Sequence, residues 1–299
     1  MKKLLKKVLS KTQRERLAHI KHHALSVFEI SRKWIARLII RMLSEKSLIY
    51  LKESAVIRKK MDYKKNNIYL HVDSMIEYDV RLRSCNKEPE MIEWIHSYFK
   101  PGDVFYDIGA NVGAYSLVAS KSSGGKVKAY AFEPGFLTFP QLCKNIILNN
   151  CQESIFPLQI AISDKTGIEQ FNYNNLIPGG ALHALGDAVD YKGDRFIPVF
   201  KQPVVSFRLD DIIKQFSLPV PSHIKIDVDG IELKILQGAV ITLQNSSVKS
   251  LIIETENNSD WLNKIYELLK LKGFFLHSRH MHTEKMGNYL FIRETANGC

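Results

Sequence analysis

A chain of 299 residues with 45% apolar and 24% charged residues has the composition of an ordinary globular protein, which excludes general disorder and collagen-like architecture. Its length suits two modest domains or one large α/β domain with an extension. The charge is unevenly placed: residues 1–65 hold 19 basic and 5 acidic side chains, a net of +14, whereas the other 23 basic and 26 acidic side chains leave −3.

In chain order, Met1 to Leu5 opens like a signal peptide, but Lys6, Lys7 and Lys11 interrupt any apolar stretch, so secretion is not expected. From Val27 to Leu43 the pattern is helical. Phe28, Trp34, Ile35, Leu38, Ile39 and Met42 form a stripe, Glu29, Lys33, Arg37 and Arg41 climb another side, and Ile30 and Ile40 fall outside the stripe. Three uses of this basic extension stay open: packing on the body or on a second subunit, lying on an anionic membrane surface, or gripping nucleic acid. No run of about 18 uncharged apolar residues follows that could span a bilayer. The four cysteines (Cys85, Cys143, Cys151, Cys299) lack Cys-x-x-Cys or Cys/His spacing, so neither a zinc site nor a disulfide framework is expected and the compartment reads as reducing.

Beyond residue 65 the texture changes. Strands are expected at Ile68–Val72, Val104–Ile108, Val127–Phe132, Phe156–Ile162, His223–Val228, Ser250–Glu254, Phe274–His277 and Tyr289–Ile292. Helices are expected at Glu90–Phe99, Val112–Ser120, Gln141–Asn149, Asp210–Phe216, Glu232–Leu243 and Trp261–Lys272. Residues 167–205 read as hairpins and loop. Strands separated by helices imply a doubly wound, mostly parallel α/β sheet, ending in an antiparallel edge hairpin. The expected division is a basic helical extension over 1–65 and an α/β domain over 66–299.

The chemistry concentrates at Asp107-Ile-Gly109-Ala-Asn111-Val-Gly113, between the first strand and helix of that alternation. Glycine there permits a tight turn and close ligand approach. Glu133 ends the next strand, 20 residues after Gly113, where a carboxylate can accept from both hydroxyls of a ribose. The G-x-G-x-x-G spacing of nicotinamide sites is absent, and Asp107 would repel a pyrophosphate. S-adenosylmethionine, with an ammonium, a sulfonium and a ribose diol, suits these residues better.

These residues also carry a family resemblance. Pro101-Gly-Asp-Val-Phe-Tyr-Asp-Ile-Gly-Ala-Asn-Val-Gly113 resembles the first motif of FkbM-type S-adenosylmethionine-dependent methyltransferases. The similarity continues through Ala131-Phe-Glu-Pro134, Asn145-Ile-Ile-Leu-Asn149, Ala161-Ile-Ser-Asp164, Ile224-Lys-Ile-Asp-Val-Asp-Gly-Ile-Glu232, Leu236-Gln-Gly-Ala239 and Ile252-Ile-Glu254. It implies the seven-stranded, Rossmann-like methyltransferase sheet and O-methylation of a sugar, glycan or other small molecule. It also implies cofactor contacts from Asp107, Gly109, Asn111, Gly113, Glu133, Ser163 and Asp227. Two departures stand out: Asp-Val-Asp-Gly-Ile-Glu replaces the family's usual Asp-Val-Glu-Gly-Ala-Glu, and Phe136 stands where a proline is usual.

Methyl transfer to a hydroxyl needs orientation and a group to take the proton. Asp227 is the first candidate for that base. Lys225, two residues earlier on the same strand face, is either its structural ion-pair partner or a catalytic group. His183 is the second candidate base, the alternative being an exposed loop histidine. Asp229 and Glu232 read as helix-start caps. Asp227, Asp229 and Glu254 would suit a hard cation, but nothing in their spacing requires one, so no metal site is predicted. The competing functions are an RNA ribose methyltransferase with a phosphate-gripping N-terminus, a nicotinamide oxidoreductase, and a non-catalytic membrane-associated scaffold. The expected setting is the cytoplasm, with peripheral contact at the inner membrane surface and homo-oligomerisation both open.

Overall fold

The computed structural model describes residues 30–189, 193–257 and 260–294. Met1–Leu5, the first residues of the expected N-terminal helix (Val27, Phe28 and Glu29) and Cys299 lie outside them. The chain divides into two units, Met1–Val56 and Ile57–Cys299. In the first, residues 30–42 form helix α1. Helix α2, Glu45–Ser54, starts at Ser44, whose hydroxyl accepts from the Ser47 amide at 3.2 Å. Trp34, Ile35, Leu38, Ile39 and Met42 are all exposed on α1, and α2 buries nothing.

The expected boundary at residue 65 falls instead after Val56. Strand β1 (Arg58–Lys60) pairs antiparallel with β2 (Tyr69–His71), and Met61 and Tyr63 beyond it are buried in the core of the second unit. Three short turns of helix follow, α3 (Met75–Asp79), a 3₁₀ turn (Arg81–Arg83) and α4 (Ser84–Lys87), then α5 (Pro89–Tyr98). The alternation then proceeds as β3 (Val104–Ile108), α6 (Ala114–Ser122), β4 (Lys128–Phe132), α7 (Phe139–Leu148) and β5 (Ile155–Leu158). The expected strand Phe156–Ile162 splits, because β6 (Ala161–Ser163) joins a different sheet. That sheet adds β7 (Gly167–Tyr173), β8 (Ala184–Leu185) and β9 (Phe200–Arg208) in the order β6-β9-β7-β8. The main sheet resumes with α8 (Leu209–Phe216), β10 (His223–Ile226), α9 (Glu232–Gln237), β11 (Ser250–Glu256), α10 (Asp260–Leu271) and the hairpin β12 (Phe274–Met281) and β13 (Met286–Arg293).

Its seven strands run β12-β13-β11-β10-β3-β4-β5. The five from β11 to β5 are parallel, and β13 enters antiparallel between β11 and β12. Helices cover both faces, as a parallel sheet requires. Met91, Trp94, Leu117, Val118, Leu142 and Ile146 pack on one side, and Leu209, Ile212, Leu233, Leu236, Ile265 and Leu269 on the other.

Two local arrangements explain how motif residues build the fold. Asn145 and Asn149, four apart on the α7 surface, accept through Oδ1 from the amides of His71 (2.7 Å) and Tyr69 (2.9 Å); the helix thus holds the β1–β2 hairpin by its backbone. Helix α9 stops at Gln237 rather than Leu243, since the Asp210 carboxylate captures the amides of Ile241 (3.0 Å) and Thr242 (2.7 Å) and diverts the chain into a 3₁₀ turn. The free cysteines among the described residues are Cys85, Cys143 and Cys151.

Candidate active site

The carboxyl ends of β3, β4 and β10 converge with the second sheet and residues 175–185 around a cavity of about 440 Å³. Open α/β sheets bind ligands at this rim. One part of the wall is apolar, with Phe132, Ile160, Ala161, Ile162, Phe171 and Leu185; another carries Arg81, Lys87, Asp227, Asp229 and Glu254. The loop before β8 is fastened to this rim. The Asn111 amide group donates to the Gly180 carbonyl (2.8 Å), Arg81 Nε to that of Gly179 (2.9 Å), and the Leu182 amide to Asp229 Oδ2 (2.7 Å).

Of the residues expected from sequence, Gly109, Asn111, Glu133, Asp227 and His183 line this cavity together. Gly109 has φ +76°, and a Cβ there would lie 1.9 Å from the Asp227 carbonyl oxygen, so no other residue lets the turn pass this close to β10. Glu133 is buried. Its Oε2 accepts from the Asn111 amide (3.0 Å) and its Oε1 from that of Gly135 (2.8 Å). Burial pushes its pKa up to about 7 despite those two amides.

Three other expected residues lie away from the main cavity wall. Asp107 is wholly buried: parallel register sets it beside Lys225, whose Nζ lies 3.2 Å from Asp107 Oδ1, and Ser116 donates to Oδ2 at 2.7 Å. Asp107 does not line the cavity. Gly113 (φ +86°) faces helix α7, where a Cβ would meet Leu142 Cδ1 at 2.5 Å; it is a packing residue. Ser163 is buried and donates to Asp164 Oδ1 at 3.0 Å.

Lys225 is likewise buried, 1% exposed. It bridges Asp107 and Asp227, each at 3.2 Å, and donates to the Gly109 carbonyl at 3.0 Å. It therefore fixes the Gly109 turn from below.

Burial raises a carboxyl pKa, but the Lys225 ammonium overcomes it and holds Asp227 down at about 2. Its hydrogen-bonded neighbour Glu254 is pushed up to about 10 by burial and by the Asp227 charge, so this pair is one carboxylate and one neutral acid at pH 7. Asp229 rises to about 6 through burial and Asp227, and Glu232 to about 7 through burial. His183 is half-buried against Phe171 and Tyr173. Burial and then Arg81 lower it to about 4, leaving it neutral.

Sequence reasoning missed Arg81, Lys87 and Glu88, which come from the short helices before β3. It also read Asp229 as a cap, whereas Asp229 lines the cavity. The trio considered for a cation, Asp227, Asp229 and Glu254, is not the group whose ligand atoms converge. Among the described residues that group is Glu88, Glu254 and His282, within 4.8 Å of one another. Two of them already have close partners: Glu88 has Lys87 at 2.5 Å, and His282 has Asn288 at 2.9 Å.

Residues 107–277 match the methyltransferase FkbM domain. Hexuronic acid methyltransferase AglP of Haloferax volcanii is 26% identical over 180 residues, covering 60% of this chain and 67% of its own length. The 31-O-demethyl-FK506 methyltransferase FkbM of Streptomyces tacrolimicus is 26% identical over 195 residues, covering 58% of this chain and 74% of its own. A solved methyltransferase FkbM structure from Methylobacillus flagellatus aligns with a TM-score of 0.46 at 17% identity over 65% of this chain, and this chain spans 44% of that one.

Proposed function

The chain belongs to the FkbM methyltransferase family, and from that premise we propose that it uses S-adenosylmethionine to methylate a hydroxyl of a sugar, glycan or related small molecule. One observation carries the cofactor assignment: Glu133, anchored by two amides, faces the same cavity as an apolar wall and the acidic end of β10. Each Glu133 oxygen keeps a lone pair for a ribose hydroxyl, Phe132 and Ile162 offer a slot for an adenine, and the anionic Asp227 suits a sulfonium. The cofactor supplies an activated methyl group, so the chain's own task is to orient the acceptor and receive its proton.

Asp227, held ionised by Lys225, aligns the acceptor hydroxyl by accepting its hydrogen bond. At about 2 its pKa is too low for an efficient proton acceptor at neutral pH. Asp229, at about 6, is better matched to take the proton, and the neutral imidazole of His183 is the other acceptor in reach of the cavity. The relative named for hexuronic acid methylation supports a sugar acceptor. Calorimetry tests the cofactor reading: S-adenosylhomocysteine should bind at micromolar levels and NADH should not. The reverse preference would overturn it.

For the first unit we infer contact with an anionic membrane surface. Trp34, Ile35, Leu38, Ile39 and Met42 lie exposed on α1 beside Lys33, Arg37 and Arg41, the arrangement of an interfacial helix. Among the described residues no helix is long and apolar enough to cross a membrane. Full-length chain should sediment with anionic vesicles and not with zwitterionic ones. Equal recovery with both, or with neither, would contradict the inference.

A further inference from the structure

A second, smaller recess of about 30 Å³ adjoins the main cavity and shares Arg81, Lys87, Gly109, Asn111 and Asp227 with it. Its own walls add Glu88, Tyr115 and Ala114, the first residue of α6. Charged groups of both signs meet in this small space. Lys87 Nζ lies 2.5 Å from Glu88 Oε1, and Tyr115 donates to Glu88 Oε2 at 2.6 Å. The Arg81 Nε donates to the Gly179 carbonyl in the loop before β8, and its terminal nitrogens can donate to another acceptor. Lys87 is about half exposed, so it can exchange its partner for a ligand group.

We propose that this recess binds the amino-acid end of the cofactor, with Arg81 and Lys87 taking the carboxylate and Glu88 taking the ammonium. The inference rests on the cofactor reading above and deepens it. An α-amino acid is a zwitterion whose two charges sit on one carbon, and it needs opposite charges within a few ångströms of each other. The recess has them, and it adjoins the Gly109 turn. Asp107, the residue that sequence pattern suggested for the ammonium, is sealed off by Lys225 and Ser116; Glu88 is the carboxylate that fronts the recess in its place. Arg81, Lys87 and Glu88 precede residues 107–277, so this subsite is built by a segment ahead of the matched family domain.

The same cations could instead receive a carboxylate on the acceptor, and the test separates the two. Calorimetry on the full chain would compare S-adenosylhomocysteine with 5′-methylthioadenosine, which has the nucleoside and thioether but no amino-acid end. Arg81→Met and Lys87→Met should each weaken S-adenosylhomocysteine by roughly 10- to 100-fold, the scale of a lost hydrogen bond to a charged group. Both should leave 5′-methylthioadenosine within about twofold, and that ligand thereby reports that each variant is folded. Unchanged S-adenosylhomocysteine affinity, or equal losses for both ligands, would overturn the subsite. If the unaltered chain binds neither ligand, the cofactor reading itself fails.

Discussion

Lys225 and Asp107 are register partners on adjacent parallel strands, and their side chains meet at 3.2 Å where neither is more than 1% exposed. The same ammonium reaches Asp227 and the Gly109 carbonyl, so one buried cation joins the core to the floor of the site. Lys225→Met would leave the buried Asp107 carboxyl without its cation. Breaking a buried pair in this way costs about 3–5 kcal/mol, on the order of 10 °C in melting temperature for a unit of this size. Adding Asp107→Asn to that variant should restore part of the loss. A melting temperature unchanged by Lys225→Met would show that the pair does not support the fold.

Glu133 makes a prediction with two arms. Replacing it by alanine should weaken S-adenosylhomocysteine by about 1.5–3 kcal/mol, the scale for hydrogen bonds to a charged group; unaltered affinity would remove Glu133 from the site. In the ligand-free chain its pKa is raised from 4.5 to about 7, so folding favours its neutral form. That contribution is complete below about pH 4.5 and is lost as pH rises through 7. Glu133→Gln should therefore flatten the decline in melting temperature between pH 5 and 8. An identical slope in both proteins would argue against the buried, proton-retaining carboxyl.

The division of labour between Asp227 and Asp229 appears in single-turnover rates. If Asp229 receives the proton, the rate rises with pH through about 6, and Asp229→Asn removes that limb and lowers the plateau by about 100-fold. Asp227→Asn should slow turnover comparably while keeping a limb, shifted to lower pH because the Asp227 charge helps to raise Asp229. A folded Asp227→Asn chain with near-normal turnover would remove it from the chemistry. A limb centred near 4 would transfer the proton to His183.

Truncation separates the two candidate boundaries. A chain starting at Ile57 should keep its cofactor affinity and cooperative melting, and lose vesicle binding. One starting at Asn66 removes β1 and the buried Met61 and Tyr63, and should melt lower or fail to fold. Equal behaviour of both would return the boundary to residue 65.

Much of this architecture was legible in the sequence, since the strand–helix alternation from Val104 to Glu254 has strong periodicity and Gly109 punctuates it. The second sheet was legible only as hairpins within 167–205, not as a sheet of its own. Pro203 within β9 argues against a strand, and it is tolerated only because β9 has β7 alone beside it there, β6 pairing further along at Ser206–Arg208. Asp107 was assigned to the ligand because its motif position is visible, whereas the register that seals it against Lys225 is not. Arg81, Lys87 and Glu88 carry no periodic signal; only folding brings those short helices over the Gly109 turn.

The central claim, methyl transfer to a hydroxyl of a carbohydrate-like acceptor, is tested most directly with S-adenosylmethionine labelled in its methyl group. Purified full-length chain would be incubated with fractionated extract of the source cell, and the labelled product isolated and treated with base and with nuclease. The account predicts label in a carbohydrate or other small-molecule fraction, stable to base as a methyl ether is and untouched by nuclease. Base-labile label would mark a carboxylate acceptor and a methyl ester, and label released by nuclease would mark RNA. Either result, or no transfer to any fraction, would contradict it.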